Sequence, residues 1–233
     1  MKKNVIYNSW IKRLLDFTVS TLATLLLSPL LILLAMLVKI KIGSPVLFKQ
    51  QRPGFHETIF TMYKFRTMTN ETDHNGNLLP DDVRLSKFGK FLRSTSLDEL
   101  PELLNIIKGD MSIVGPRPQL VKDMVFMTEE QRARHTVRPG LTGWAQINGR
   151  NSVTWEDKIN FDLEYLRKQS LSFDIKIIIL TILNVFKREG ITAEGMETAE
   201  DLGDYLLRNE VISEDYYNKS IKSSRELVDS YIK

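Results

Sequence analysis

Residues 17–38 read FTVSTLATLLLSPLLILLAMLV, a run of 22 residues without a charged side chain. As a helix this run would extend about 33 Å, which is enough to reach across the hydrocarbon core of a bilayer. A cleavable signal peptide is a poor alternative, because the run is long for that role and no A-x-A-like cleavage site follows it. A buried core helix is rarely so apolar on every face. The run therefore predicts a membrane-embedded helix.

Two features of this run predict that it enters the membrane and returns rather than crossing it. Ser28-Pro29 lies in its middle, where a proline removes a helical hydrogen bond and favours a kink. Basic residues flank both ends, so the positive-inside rule suits both ends to the cytoplasm; these residues are Lys2, Lys3, Lys12, Arg13, Lys39, Lys41, Lys49 and Arg52. A re-entrant helix follows, and an ordinary kinked spanning helix stays open, because spanning helices tolerate proline.

Composition narrows the chemistry that the rest of the chain can carry out. The 233 residues contain no cysteine, which excludes disulfides, thiolate metal sites and cysteine nucleophiles. The three histidines (His56, His74 and His135) lack metal-ligand spacing, so a histidine-rich zinc site is not expected. Residues 194–233 hold ten acidic and five basic side chains, so the net charge of +3 divides into −5 there and +8 in residues 1–193. The basic part suits anionic partners, and the lack of any nucleic-acid-binding motif argues against nucleic acid.

Short segments at 46–51 and 58–65 are rich in β-branched and aromatic residues, and Pro53-Gly54 separates them. This pattern predicts a β-hairpin. The polar residues 69–82 predict a loop, and the Pro- and Gly-rich stretches 114–118 and 138–143 predict shaped loops without regular structure.

Helical spacing of apolar residues predicts two short helices between Ser86 and Lys108 and longer helices at 155–169 and 174–188. The apolar segment 177–183 is too short to span a bilayer, so it is either buried or interfacial. The fold class predicted is α+β and mainly helical, with a re-entrant membrane helix, a small β-hairpin and amphipathic interfacial helices around one catalytic domain. The expected divisions are a basic start and membrane helix at 1–44, a cytoplasmic catalytic domain at 45–192 and an acidic tail at 193–233.

The segment RSTSLDELPE at 93–102 places two adjacent carboxylates at the start of a helix. Pro101 has no N–H to donate, which is harmless only in a first turn, so the helix is predicted to begin near Leu97 or Asp98. Asp98 could then be an N-cap and Glu99 a first-turn acid that complements the helix dipole. From these residues alone the capping interpretation is favoured.

Taken with its neighbours, however, this segment resembles the bacterial sugar transferase family, the monotopic phosphoglycosyl transferases. The resemblance runs from about Lys12 to about Arg188 and rests on long strings in the family's order. Besides the apolar run they are PVLFKQQRPG (45–54), YKFRTM (63–68), SLDELPELLNIIKGDMSIVGPRP (96–118) and RPGLTGWAQINGR (138–150). The enzymes that begin exopolysaccharide repeat units and bacillosamine-type glycans are the most similar. The acidic tail lies outside the resemblance, so we expect it to be accessory to catalysis.

The resemblance implies a two-step reaction at a bacterial cell membrane, on its cytoplasmic face. Asp98 attacks the sugar-linked phosphorus of a UDP-sugar, UMP leaves, and a polyprenyl phosphate such as undecaprenyl phosphate then accepts the sugar phosphate. A carboxylate is a competent covalent nucleophile toward phosphorus. The resemblance also implies Mg²⁺, held by Asp98 and Glu99, which would neutralise the diphosphate. Five cations are predicted to bind the substrate: Lys64, Arg66, Arg93, Arg117 and Arg138.

Each of these cations has a plainer interpretation as a surface or ion-pairing residue, and the chain has an alternative function as well. A noncatalytic membrane scaffold or regulator of polysaccharide assembly would use the basic face only to hold lipid headgroups. That alternative leaves the clustering of Arg93, Asp98, Glu99 and Arg117 unexplained. A multispan phosphoglycosyl transferase would need many spanning helices that this sequence lacks. The sequence is compatible with a homo-oligomer and does not identify the sugar.

Overall fold

The computed structural model describes residues 10–149, 153–187 and 200–232. It is mainly helical, with two small sheets of two strands each, so the predicted α+β, mainly helical class is confirmed. Predictions that involve Lys2, Lys3, Arg150, Arg188 or the boundary between 192 and 193 fall outside the described residues.

The first helix, α1 (Lys12–Lys41), is continuous through Pro29. By length and composition it is the one helix in the described ranges that could cross a membrane. One of its faces packs along the rest of the protein from end to end. Lys12 and Asp16 are buried near its start, and Leu34 and Val38 are buried near its end. Its other faces expose large apolar side chains, among them Leu14, Phe17, Leu22, Leu25, Leu26, Ile32, Leu33, Met36 and Ile40.

The predicted hairpin is present as strands β1 (Leu47–Pro53) and β2 (Ile59–Phe65), which pair antiparallel with Leu47 opposite Phe65. The inward side chains Phe60, Met62 and Phe65 are almost fully buried. They form parts of two apolar clusters that also receive side chains from α1. The hairpin therefore joins α1 to the rest of the protein.

The segment between Asp81 and Lys108 contains three short helices and one tighter turn. They are α2 (Asp81–Arg84), α3 (Lys87–Ser94), a 3₁₀ turn at Leu97–Glu99 and α4 (Glu102–Lys108). The prediction that the helix begins near Leu97 or Asp98 is therefore wrong in its start. A left-handed residue, Ser96 at φ 55°, redirects the chain before the 3₁₀ turn, and the α-helix begins only after Pro101.

Two parallel strands, β3 (Ser112–Val114) and β4 (Gly140–Thr142), hold together the two Pro- and Gly-rich stretches. The prediction that these stretches lack regular structure is thus wrong for Val114 and for β4. The backbones approach so closely that a Cβ on Gly115 would lie 2.4 Å from the Arg138 carbonyl oxygen, and one on Gly140 would lie 2.1 Å from the Gly115 nitrogen. Only glycine permits this contact.

Helices α5 (Val121–Met124), α6 (Glu129–Arg132) and α7 (Trp144–Asn148) follow, with a 3₁₀ turn at Ala133–Thr136 after α6. The predicted longer helices are present as α8 (Trp155–Lys168) and α9 (Leu171–Lys187). Helix α9 has one buried face and one exposed face. Ile177 is fully buried, whereas a stripe at helical spacing is exposed: Leu171, Ile175, Ile179, Ile182 and Leu183.

In its described part the acidic tail consists of α10 (Leu202–Arg208) and α11 (Glu214–Ile232), and both helices pack against the helix Val121–Met124. Leu202 is 3% exposed in a cluster with Phe126, Met127 and Trp155. A Cβ on Gly203 would lie only 2.4 Å from the Phe126 ring. Removal of the tail would expose this cluster, so the described part of the tail belongs to the packed body. That the tail is accessory to catalysis stays a prediction.

Candidate active site

The acidic pair lies on the 3₁₀ turn that follows α3. Leu97 and Leu100, on either side of the pair, pack into the apolar cluster around Leu92 and Val38. This packing fixes the turn. Glu99 lines a cavity there, whereas Asp98 is buried beside Glu99 and does not line that cavity. Asp98 is 8% exposed, and the side chain of Glu99 is 17% exposed. Both carboxylates are therefore presented from a rigid support.

Asp98 does not cap the helix that follows it. The N-cap position of α4 is Pro101, and no side chain makes a capping hydrogen bond there. Across the described ranges the Asp98 carboxylate has no hydrogen-bond or ion-pair partner within normal bonding distance. The capping interpretation of Asp98 is therefore wrong, and its carboxylate has no structural role among the described residues.

Glu99, by contrast, is held by two cations from distant parts of the chain. Lys64 Nζ at the end of β2 lies 2.6 Å from Glu99 Oε1, and Arg117 Nη2 lies 2.5 Å from the same oxygen. Lys64 Nζ is also 3.2 Å from Glu102 Oε1 on the first turn of α4. The structure thus brings three predicted site residues, Lys64, Glu99 and Arg117, into one ion-pair network with Glu102.

Burial and the charges of this network shift the pKa values of Asp98, Glu99 and Glu102 in different directions. Burial raises the pKa of Asp98, and the neighbouring Glu99 charge raises it further. Burial also raises the pKa of Glu99, but the charges of Arg117 and Lys64 outweigh that effect and hold it well below its usual range. Burial raises the pKa of Glu102 to about 7, in spite of Lys64. Glu99 therefore stays anionic while Glu102 can exchange a proton near neutral pH, a divergence typical of catalytic sites.

The other three predicted cations occupy different places. Arg93 donates from Nε to Thr67 Oγ1 at 3.1 Å, lowers the pKa of Asp98 by its charge and lines the cavity beside Glu99. Arg66 is 7% exposed and donates to the carbonyls of Met68 and Ser44 at 2.8 and 2.6 Å. Arg66 therefore holds the loops at the base of the hairpin.

Arg138 lies apart from the acidic pair. Its Nε donates to the carbonyl of Gly109 at the end of α4 at 2.8 Å, and its guanidinium lies 5.1 Å from the centre of the Phe55 ring. Neither Arg138 nor Arg66 lines the cavity. The structure brings Lys64, Arg93 and Arg117 to the acidic pair and does not bring these two.

A cavity of about 580 Å³ opens beside Glu99, within the usual size range of small-molecule sites. The 3₁₀ turn and the Arg117 loop form one side, and α7, α8, α9 and the start of the tail form the others. Its polar lining includes Arg52, Arg93, Glu99, Arg117, Gln119, Asp123, Thr142, Gln146, Lys158, Asp162, Thr181, Asn184, Glu200 and Asp201. Its apolar lining includes Ile178 and Ile182 on α9, so the cavity reaches the helix that carries the exposed apolar stripe.

Three lining residues that the sequence did not single out carry buried polar atoms without a hydrogen-bond partner in the described part of the chain. These atoms are Arg52 Nε, Gln146 Oε1 and Asp162 Oδ1. Burial, together with the charge of Arg117, lowers the pKa of Arg52 to about 10, so Arg52 lies within the electrostatic reach of the network. Asp162 is 2% exposed, and Arg134 holds its other oxygen at 2.7 and 2.9 Å. Unsatisfied donors and acceptors in a cavity favour a polar ligand.

Three of the site residues that the sequence analysis did not predict carried a detectable signal, and one of them, Gln146, belongs to the RPGLTGWAQINGR string. Glu102 follows Glu99 by three residues, a spacing that places both on one face of a helical segment. Arg52 belongs to the PVLFKQQRPG string. Asp162 sits within an ordinary amphipathic helix, and nothing in its neighbourhood marked it. Only the packing of α8 against the Arg117 loop, through Arg134, brings Asp162 to the cavity.

The residues present fit a magnesium ion whose ligands come partly from the protein and partly from substrate phosphates and water. Among the described residues no group of three histidine, cysteine or acidic side chains is placed to hold a metal. Mg²⁺ commonly takes one or two carboxylates and completes its shell with substrate phosphates and water. Lys64 and Arg117 both bind Oε1 of Glu99, which leaves Glu99 Oε2 and the Asp98 carboxylate as hard oxygen ligands.

Comparison with known proteins gives a family match over most of the chain. The model of the family described as bacterial sugar transferase matches residues 7–188. A Bacillus subtilis (strain 168) protein, "Uncharacterized sugar transferase EpsL", is 51% identical over 190 residues, which are 82% of this chain and 94% of that protein.

Two further relatives carry names that state a reaction. The "UDP-glucose:undecaprenyl-phosphate glucose-1-phosphate transferase" of Escherichia coli (strain K12) is 42% identical over 77% of this chain and 41% of its own length. The "UDP-N-acetylgalactosamine-undecaprenyl-phosphate N-acetylgalactosaminephosphotransferase" of Aeromonas hydrophila is 37% identical over 76% of this chain and 44% of its own length. The chain thus spans nearly all of the Bacillus relative and less than half of the other two.

Proposed function

Because the chain belongs to the bacterial sugar transferase family, we propose that it transfers a sugar 1-phosphate from a UDP-sugar to undecaprenyl phosphate and releases UMP. Two relatives named above carry out this type of transfer, with undecaprenyl phosphate as the acceptor in both names. Such a transfer would begin the assembly of an exopolysaccharide, a capsule or another surface glycan.

The observation that supports this proposal most is the contrast between two adjacent carboxylates. Glu99 is clamped by Lys64 and Arg117, whereas Asp98 is buried beside it without a hydrogen-bond partner among the described residues. A carboxylate with no structural role, placed next to three cations, is suited to attack an anionic phosphorus centre. The fixed cations supply the electrostatic stabilisation that a phosphoryl transfer needs, because there is little covalent chemistry for a protein to do there.

In the first step a carboxylate oxygen of Asp98 forms a bond to the sugar-linked phosphorus of the donor. The bond from that phosphorus to the bridging oxygen breaks, and UMP leaves with the electron pair. The product on the enzyme is an acyl phosphate that joins Asp98 to the sugar phosphate. Arg93 and Arg117 would face the charge that spreads over the phosphoryl oxygens in this step.

In the second step a phosphate oxygen of the lipid attacks the same phosphorus. The bond between Asp98 and phosphorus breaks, so the carboxylate is regenerated and the lipid carries a diphosphate-linked sugar. Asp98 and Glu99 Oε2 would hold Mg²⁺, which when bound neutralises part of the diphosphate charge. Lys64, shared by Glu99 and Glu102, keeps Glu99 in place and sets how readily Glu102 takes up a proton.

The exposed apolar surfaces of α1 and α9 support a location at the cytoplasmic face of the membrane, where a soluble donor meets a lipid phosphate. The N-terminal end of α1 is tied to the body by an ion pair of 2.5 Å between Lys12 and Asp174, and its C-terminal end by burial of Leu34 and Val38. Contacts at both of its ends with one domain favour both ends on the same side of the bilayer. The exposed stripe of α9 would lie in the interface.

Single-cysteine labelling can test this topology, because the chain has no cysteine of its own. Cysteines at Asn4, which lies outside the described residues, and at Asn75 should both be protected from a membrane-impermeant reagent in intact cells. Labelling of the Asn4→Cys variant alone would favour a spanning helix. Pro29→Ala should shift the helix toward that spanning arrangement.

The noncatalytic scaffold remains the alternative, and the geometry gives it less support. A scaffold that only holds lipid headgroups needs exposed cations, whereas Lys64 is 15% exposed and is committed to acidic partners. Such a scaffold also has no use for a cavity beside those cations.

The decisive experiment is to incubate the purified enzyme with a UDP-sugar and Mg²⁺ in the absence of lipid. The proposal predicts a burst of UMP close to one equivalent per enzyme. A phosphosugar adduct should then be found by mass spectrometry on the peptide that contains Asp98. Addition of undecaprenyl phosphate should remove the adduct and start steady turnover. If UMP appears only when lipid is present and the adduct is never seen, transfer is direct. If no donor yields UMP under any condition, the scaffold is favoured.

A further inference from the structure

The cavity beside the acidic pair is completed by a part of the chain that lies outside the family match. The match ends at residue 188, and the alignment with the Bacillus relative covers 82% of this chain. Yet Glu200 and Asp201 both line the cavity, together with Trp155 and Lys158 of α8. The C-terminal segment therefore contributes to the wall of the site that the matched region alone leaves open.

The position of this segment is fixed by contacts to the body. The backbone N–H of Leu202 donates to Asp123 Oδ1 at 2.9 Å, and Trp155 Nε1 donates to the Glu200 carbonyl at 3.1 Å. Leu202 is buried, and Gly203 lies flat against the Phe126 ring. Two hydrogen bonds and apolar packing thus hold residues 200–203 against the body, so a side chain they present to the cavity has a defined place.

The three acidic residues on this side of the cavity are not equivalent. Both oxygens of Asp123 accept backbone N–H groups, one from Leu202 and one from Leu120 at 3.0 Å. Glu200 is held through both oxygens by Arg208 at 2.9 and 2.8 Å. Asp201 is bound by Lys122 through Oδ2 alone, and its Oδ1 has no partner among the described residues. Asp201 is therefore the acid whose carboxylate can still accept hydrogen bonds from a ligand.

Other groups of the same cavity point to a polar, hydroxyl-bearing ligand. Asp162 is 2% exposed and has one oxygen without a partner among the described residues, as does Gln146 Oε1. With Asp201 they form a set of acceptors, which suits hydroxyl donors and disfavours phosphate. The charge of Asp201 also acts on Arg52, which in turn feels Arg117 and Glu102 of the acidic network. The three acceptors line the same cavity as Arg93, Glu99 and Arg117 of the proposed reaction site.

We propose that Asp201 is a specificity-determining residue that accepts hydrogen bonds from hydroxyl groups of the donor sugar. This inference rests on the proposed function. The two relatives with named reactions share UDP and differ in the sugar, glucose in one and N-acetylgalactosamine in the other. A site that hydrogen-bonds substrate hydroxyls discriminates strongly against isomers that misplace them.

The test uses the full-length protein in membranes or detergent and measures UMP release from UDP-glucose, UDP-galactose, UDP-N-acetylglucosamine and UDP-N-acetylgalactosamine. Asp201→Asn should raise KM for the best donor and reduce the ratio of kcat/KM between the best and second-best donors by about tenfold or more, with kcat changed much less. Asp204→Asn is the matched control on the same tail, since Asp204 binds Tyr217 and does not line the cavity.

A second variant separates recognition from docking. Lys122→Gln removes the ion pair of Asp201 but keeps its carboxylate, so donor selectivity should persist and limited proteolysis should still find the tail docked. Equal loss of selectivity in Lys122→Gln and Asp201→Asn, accompanied by release of the tail, would show that Asp201 only anchors the segment and would overturn the inference. An unchanged donor ratio in Asp201→Asn would overturn it as well. Wild-type enzyme that releases no UMP from any donor would instead overturn the proposed function, and this inference with it.

Discussion

The two sides of the cavity are built on different principles. On the catalytic side, the largely buried Lys64, Glu99 and Glu102 form an ion-pair network with the partly exposed Arg117. On the tail side, positions are fixed by apolar packing around Leu202 and Phe126 and by hydrogen bonds to the buried Asp123 carboxylate, whereas Glu200 and Asp201 are partly exposed. The catalytic side lies within the family match, whereas the tail side joins matched helices to a segment beyond it. The two proposals together predict that the reaction and the choice of substrate can be altered separately.

The largest expected effect is on the catalytic side, at Asp98. Asp98→Asn should lower UMP release by at least about 10³-fold, because a neutral amide is a poor nucleophile toward phosphorus. Since Asp98 caps no helix and bonds to no described residue, the variant should keep its fold and its membrane association. Glu99→Gln is the comparison, because it should lose activity and also loosen the Lys64 and Arg117 contacts. Full activity of Asp98→Asn, measured without wild-type contamination, would rule out the covalent step.

The next effect separates two arginines that follow similar sequence signals. Arg117→Ala removes a cation that contacts Glu99 and should reduce kcat/KM by about 10²–10³-fold. Arg138→Ala removes contacts to Gly109 and Phe55 and should lower stability by about 1 kcal/mol, with less than a tenfold change in kcat/KM. Steady-state kinetics and thermal midpoints of both variants decide the matter. A larger kinetic loss in Arg138→Ala would restore its predicted role in substrate binding.

A smaller effect is expected when the tail is pushed away from the body. In Gly203→Leu the new side chain would collide with Phe126, so we expect a loss of about 2–3 kcal/mol in stability and faster proteolysis of the tail. UMP release should fall severalfold, because one wall of the cavity is displaced. Lys219→Ala, at an exposed position of α11, is the control and should change neither readout. Wild-type activity and stability in Gly203→Leu would show that the tail is accessory after all.

The smallest effect concerns the pH dependence of stability and arises from Glu102. Its pKa rises from 4.5 to about 7 on folding, so the folded protein holds this proton more tightly than the unfolded chain does. Stability due to this group is therefore lost as the pH rises from about 4.5 to 7. Glu102→Gln should reduce this pH-dependent loss of stability by about 1–2 kcal/mol. The thermal midpoint of the variant should therefore drop less between pH 5 and 7.5 than that of the wild type. Parallel pH profiles for the two proteins would contradict the raised pKa.

The sequence by itself determined the elements whose signals are local. The uncharged run at 17–38, the hairpin around Pro53-Gly54 and the helical periodicity of α8 and α9 each report on residues that are neighbours in the chain. The long strings of family residues likewise marked Asp98 and Glu99 together with Lys64, Arg93 and Arg117.

Tertiary structure decided what local patterns do not carry. Arg117 and Arg138 both lie in proline-containing loops, and only the close approach of Gly115 to Gly140 aims the first at Glu99 and the second at Gly109. Helix α4 begins at Glu102 and not near Asp98 as predicted, because Leu97 and Leu100 pack into the core. As a result Asp98 does not cap the helix. The tail became a wall of the site because Leu202 and Gly203 meet Phe126, a contact between residues more than 70 positions apart. Such contacts depend on the shapes of surfaces that meet only after folding, and no spacing along the chain encodes them.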